Sequence, residues 1–295
     1  MMQQMSQQMK VMQNRIQELE AEQKATAKKQ ANQAQKMASM KPVAGKASSA
    51  SGSDVIVTLN PTPKLKTADG NFTAKVIGFA QADAVFHSDD TVDHPNSTTI
   101  KRARVGLAGT FLKDWGYKFL YDFGNNNNDQ LQDMFITYNG FANTQLIAGQ
   151  YKEPIGLEWQ SPAKYWTFME LPLTTALTPR RSIGAGFNTT IDAVRLNLGV
   201  FGENANQTRA DDEGYSFDGQ LVYTPINEKR RHLHIGASAS YRVPDAATDA
   251  VTYRAGHETS SASGNYVNTG AMTSVDNSVL MGAQALGIYG PALLQ

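Results

Sequence analysis

The chain has 295 residues, with 27 basic and 27 acidic side chains and no net charge, so no global basic field argues for nucleic acid as a partner. It contains no cysteine, which excludes disulfides, thiol catalysis and cysteine-ligated metal and suits the periplasm or a bacterial surface. Mean hydropathy is −0.41 and no run of about 18 apolar residues occurs, which excludes a membrane-spanning helix but not a membrane barrel, whose alternating strands average out. At the start, "MMQQMSQQMK" lacks the apolar stretch of a signal peptide, so either the start has been cut or the chain is intracellular. Met2, Met5, Met9, Met12, Ile16 and Leu19 then form a heptad seam. An isolated helix of this length is marginal in water, so the seam points to partner helices rather than to an amphipathic helix on the protein's own surface. We place this coiled-coil helix at 1–30 and a polar Lys/Ala/Ser linker at 31–70. The linker lysines either touch lipopolysaccharide or another anionic polymer or, more plainly, are solvated.

From residue 71 to 295 the pattern changes to long alternating segments rich in glycine, aromatic and β-branched residues. Strands are expected near 72–86, 99–112, 116–123, 131–139, 144–153, 183–191, 193–203, 215–225, 232–243 and 278–289, with the start of another at "ALLQ". Most are long enough to cross a bilayer at a tilt. Their connections alternate between long (87–98, 124–130, 154–182, 204–214, 244–277) and short (113–115, 140–143, near Asp192, 226–232, 290–291). Up-and-down outer-membrane barrels have this asymmetry, with short periplasmic turns and long outer loops. The fold class is therefore all-β: an antiparallel up-and-down transmembrane β-barrel, preceded by a short coiled coil.

Each strand has a greasy and a polar face. Val194, Leu196, Leu198 and Val200 oppose Arg195 and Asn197, and Tyr215, Phe217, Leu221 and Tyr223 oppose Ser216, Asp218, Gln220 and Thr224. If the greasy face looks at lipid, the interior carries Lys75, Asp83, Arg102, Arg104, Lys118, Asp122, Asp133, Lys152, Arg195, Glu203, Asp218 and Arg242. That mixture lines water rather than packing a core, and its small excess of cations favours anions. Arg102 and Arg104 share one face two residues apart. They are placed either to hold phosphate or carboxylate bidentately or to brace the wall by pairing with Asp122 or Asp133.

"IKRARVGLAGTFLKDWGYKFLYDF" (100–123), "LIAGQYKEPIGLEWQSPAKYWTFMELPL" (146–173) and "LTPRRSIGAGF" (177–187) resemble the phosphate-selective porin O and P family of bacterial outer membranes. The resemblance runs from about residue 70 to the end. It implies a trimeric, sixteen-stranded outer-membrane barrel with the coiled coil in the periplasm and an anion-attracting channel for phosphate or polyphosphate. It implies no catalysis and no cofactor. A long loop narrows such barrels; the matching segment is 154–182, which carries Lys164, Arg180 and Arg181 with Glu158, Trp159 and Glu170. The residues expected to line the pore and attract anions are Arg102, Arg104, Lys118, Lys152, Lys164, Arg180, Arg181, Arg195 and Arg242. The chain departs from the family in three ways: about ten strands make it look truncated, Leu171 replaces the basic residue of an "FMER"-like segment, and the inferred lining mixes acid with base. Porins of this kind are thought also to pass dicarboxylates and other small anions, and a plugged structural barrel and a soluble trimeric β-domain are the remaining alternatives.

Enzyme readings are weaker. His87 and His94 flank Asp89, Asp90 and Asp93 in one loop at no recognisable ligand spacing, and His232 and His234 share one strand face. "GAGF" (184–187) is not followed by a nucleotide-binding βα pattern, and "NNNN" (125–128) reads as an ordinary loop.

Overall fold

The computed structural model describes residues 55–59, 62–88, 94–124, 130–206, 212–245, 249–256 and 264–294. The predicted coiled coil, the tract up to residue 54, the asparagines 125–128 and Asp89, Asp90 and Asp93 lie outside the described residues. The strands are β1 (Val55–Thr58), β2 (Lys64–Thr67), β3 (Phe72–Val85), β4 (Ser97–Phe111), β5 (Trp115–Asp122), β6 (Leu131–Phe141), β7 (Thr144–Lys152), β8 (Arg181–Ile191), β9 (Val194–Phe201), β10 (Tyr215–Glu228), β11 (Arg231–Val243), β12 (Arg254–Gly256), β13 (Asn265–Asn268), β14 (Ser278–Tyr289) and β15 (Ala292–Leu294). All but β12 and β13 join one antiparallel sheet in sequence order, with β1 and β15 at its two edges.

Burial along these strands is the reverse of that in a water-soluble sheet. On β10, Ser216, Asp218 and Gln220 are 0, 3 and 6% exposed, whereas their neighbours Phe217 and Leu221 are 55 and 52% exposed. Val105, Leu107, Met134, Ile136, Leu198, Val200 and Ile235 are likewise exposed. The register keeps each face continuous across strands: Gln220 lies opposite Asn197 and Ser238, and Leu221 opposite Leu196 and Ala237. An apolar face turned outward is what a hydrocarbon solvent stabilises, since it leaves the polar groups to satisfy one another or water on the other side. Aromatic rings gather at both ends of that face. Trp115 meets Tyr138 at 5.0 Å and Tyr138 meets Phe141 at 5.4 Å at one end, while Tyr121 meets Phe123 at 4.8 Å at the other. These are the two levels where amphipathic rings favour a membrane interface.

The short turns all fall at one end of the large sheet and the long connections at the other. Asn143 (φ 59°) and Asp192 (φ 51°) take the left-handed conformation in two of the two-residue turns, where Asn and Asp tolerate it because their short polar side chains bond locally. Three expectations need correction. The sheet begins at Val55, inside the expected linker, because four-residue strands such as "VIVT" and "KLKT" are too short to show a period. The turn after β4 is Leu112–Asp114 rather than 113–115, so Leu112 leaves the expected strand and Trp115 opens β5, since Phe111 pairs with Trp115 and keeps both rings on the outward face. The connection 244–277 holds its own small hairpin, β12–β13, which packs beside residues 173–177.

Candidate functional site

The connection from β7 to β8 contains a short helix α1 (Leu157–Gln160) and two 3₁₀ turns, Ala163–Tyr165 and Leu173–Leu177. Its two stems emerge side by side, because Lys152 and Arg181 are register partners and the Glu153 amide donates to the Arg180 carbonyl. From there the loop is tied across the polar face. Glu153, fully buried, takes Arg242 of β11 at 2.5 Å and the Ser182 hydroxyl at 2.6 Å. The Gln220 amide of β10 donates to the Gly156 carbonyl at 3.3 Å. The Lys152 ammonium caps α1 by donating to the carbonyls of Trp159 and Ser161. On the opposite side Arg102 of β4 meets Glu170 at 2.7 Å and lies over the Trp166 ring at 5.0 Å. A segment bonded to β4, β10 and β11 spans the polar face from one side to the other.

Beneath it lies a cavity of about 430 Å³ whose walls carry Arg104, Lys118, Lys152, Arg181 and Arg195 against one carboxylate, Asp133. Asp133 is shared: Lys118 and Arg181 each approach it at 2.7 Å. Arg104 is neutralised by Asp122 at 2.7 Å on the neighbouring strand. Lys152 and Arg195 have no carboxylate partner among the described residues. A second cavity of about 440 Å³ toward the short-turn end is lined by Asn139, Gln145, Asn188, Asn197 and Arg195, among others. Its amides form a row across β6 to β9: Asn188 donates to Gln145 at 3.3 Å and Gln145 to Asn139 at 2.6 Å. The row continues as Asn197 donates to Gln220 at 2.9 Å. Arg195, Asn188 and Asn197 belong to both cavities.

Of the nine cations expected to line a pore, five meet at the first cavity. Arg102 and Arg242 instead anchor the loop, Lys164 lies over Tyr165 at 4.8 Å, and Arg180 sits exposed at the stem. The alternatives for the arginine pair separate: Arg104 braces the wall through Asp122, and Arg102 forms its ion pair with Glu170 of the loop rather than with Asp122 or Asp133. His232 meets Asn227 and His234 meets the Gln284 amide, and no three metal-ligating side chains cluster among the described residues. "GAGF" has a packing reason. A Cβ on Gly184 would come within 2.5 Å of the Phe201 ring and one on Gly186 within 2.8 Å of the Tyr151 hydroxyl, so these glycines make room for a tilted Tyr151–Phe201 ring pair at 5.0 Å. Two functional elements were not singled out from the sequence. The amide row appears there only as the polar half of an alternation, and Glu153 in "KEP" carries no local sign that it is buried. Gln150 is a third surprise: it has the parity of the apolar face, yet it is buried because its amide bonds the Leu131 carbonyl and accepts from the Ala205 amide.

Residues 75–295 match the model of the family described as phosphate-selective porin O and P. The curated protein Porin O of Pseudomonas aeruginosa is 29% identical over 215 residues, which cover 67% of this chain and 48% of that protein. The chain thus spans about half the length of that relative. With three-quarters of its length matched, and with its sheet, inverted burial and inward loop in keeping, the chain belongs to the phosphate-selective porin O and P family.

Proposed function

We propose that the chain forms part of an outer-membrane channel through which small anions, phosphate foremost, diffuse passively. The observation that carries this reading is the imbalance of charge around the loop-roofed cavity: five cations line it against one carboxylate, and two of them, Lys152 and Arg195, have no acidic partner among the described residues. A water-filled site of one sign, walled by low-dielectric material, concentrates counter-ions and sets selectivity electrostatically. The family's description points to phosphate, and guanidinium forks and amide donors both suit its oxygens. The sixteen-stranded trimer implied by the resemblance would supply the strands that close the wall and the partners of the edges β1 and β15. The reading is tested by reconstitution in planar bilayers. In a KCl gradient the reversal potential should take the sign of chloride preference, and added phosphate should reduce the chloride current more than acetate does. A cation-selective or silent bilayer would overturn it.

A further inference from the structure

Arg102 opens the basic pair of β4, yet both terminal nitrogens of its guanidinium are engaged by the chain itself. One terminal nitrogen donates to the Gln81 side-chain oxygen at 2.7 Å, the other to Glu170 at 2.7 Å, and its face lies over Trp166 at 5.0 Å. The second Glu170 oxygen is buried without a hydrogen bond and has the Lys101 ammonium at 3.6 Å. Glu170 lies mid-loop, far in sequence from both stems, so this contact fixes a part of the loop that neither stem controls. The side chains of Arg102 and Glu170 are 10 and 16% exposed, so water screens the pair only partly. A carboxylate with two cations on it is the arrangement that a small anionic solute would otherwise make at this place.

We propose that Glu170 is a specificity-determining residue that acts as a built-in anion. Held by Arg102 and Lys101, it pins the far limb of the loop to β4 and cancels charge that Arg102 would otherwise present to the channel. The inference rests on the channel reading above. An amide in its place would keep a hydrogen bond to Arg102 but cancel nothing, which separates the electrostatic role from mere packing.

The test is E170Q in reconstituted channels. One unit of charge about 10 Å from the ion path in water changes ion occupancy about twofold. E170Q should therefore raise the anion-to-cation permeability ratio by about twofold or more at low salt, and it should add open-channel current noise. Because the chain has no cysteine of its own, spin labels on F168C and V105C report the limb directly. Their distance distribution should be narrow with Glu170 present and broad in E170Q. The exchange R102E/E170R keeps the pair and the net charge, and should return both the ratio and the narrow distribution to those of the unaltered protein. An unchanged or lowered ratio in E170Q overturns the selectivity role even if the distances broaden. Unchanged distances overturn the clasp. If E170Q does not assemble, E170D, which keeps the charge on a shorter arm, should broaden the distances without changing the ratio, and failure to do so counts against the clasp. A protein with no anion preference at all would defeat the channel reading while the spin-label distances still judge the clasp.

Discussion

Arg195 offers the cleanest measure of the electrostatic reading, because it faces both cavities and no carboxylate pairs with it among the described residues. The substitution R195Q removes one positive charge and strands no buried acid. A sphere of 430 Å³ has a radius of about 4.7 Å, so an anion at the centre of the first cavity lies about 5 Å from a charge on its wall. At that distance one charge is worth ~0.8 kcal/mol in bulk water and ~3 kcal/mol at an effective dielectric constant of 20. Arg195 is exposed, so the lower figure applies, equivalent to about fourfold in anion occupancy. R195Q should lower the anion-to-cation permeability ratio by about that factor in dilute salt, and by less above 0.1 M, where the screening length falls below ~10 Å. The control is R104Q/D122N, which deletes a cation and its partner together and leaves the local charge balanced. Its ratio should stay close to that of the unaltered channel. Equal losses in the two variants, or none in R195Q, would show that the unpaired cations do not set selectivity.

D133N withdraws the carboxylate shared by Lys118 and Arg181, so the anion preference should rise. Resistance to urea unfolding in vesicles should fall by ~3 kcal/mol, because the two cations are left unpaired. Q150A should cost ~1–2 kcal/mol in the same assay and speed hydrogen exchange at the Ala205 amide, which would lose its acceptor. Leu221 and Gln220 test the two faces side by side at mid-strand. L221R should cost ~2–4 kcal/mol in vesicle folding, the depth-dependent penalty of a lipid-facing charge, whereas Q220R should fold nearly as well as the unaltered protein.

The ten long strands were legible because their periods run for eight residues or more. Alternation over that length fixes which side chains share a face, and β14 is found at 278–289 as expected. What the period cannot carry is pairing between distant residues. Arg104 and Asp122 meet because β4 and β5 are set in register by a three-residue turn, and the candidate partner was already visible. Glu170 reaches Arg102 across 68 positions and Glu153 reaches Arg242 across 89, through an irregular loop with no period to follow. The same limit hid Gln150, whose outward parity is overruled by the segment 204–206 folding over it.

The pairing pattern gives the polar face a division of labour. Each ion pair with the loop, Arg102–Glu170 and Arg242–Glu153, spends its charge on holding position, so neither cation adds to the field that a passing solute meets. Lys118, Arg181 and Arg104 are largely balanced by Asp133 and Asp122. The remaining field comes from Arg195, from Lys152, and from the one positive charge left over where Lys118 and Arg181 share Asp133. Arg195 stands where the charged cavity opens into the amide-lined one. A channel must bind its ion strongly enough to admit it and weakly enough to release it. On the channel reading proposed above, a solute that left Lys152 for Arg195 and then for Asn188, Asn197 and Gln145 would move from full charges to neutral donors, each able to replace a lost water but none able to hold an anion. The number of unpaired cations, rather than the number of cations on the wall, would then set both selectivity and the ease of release.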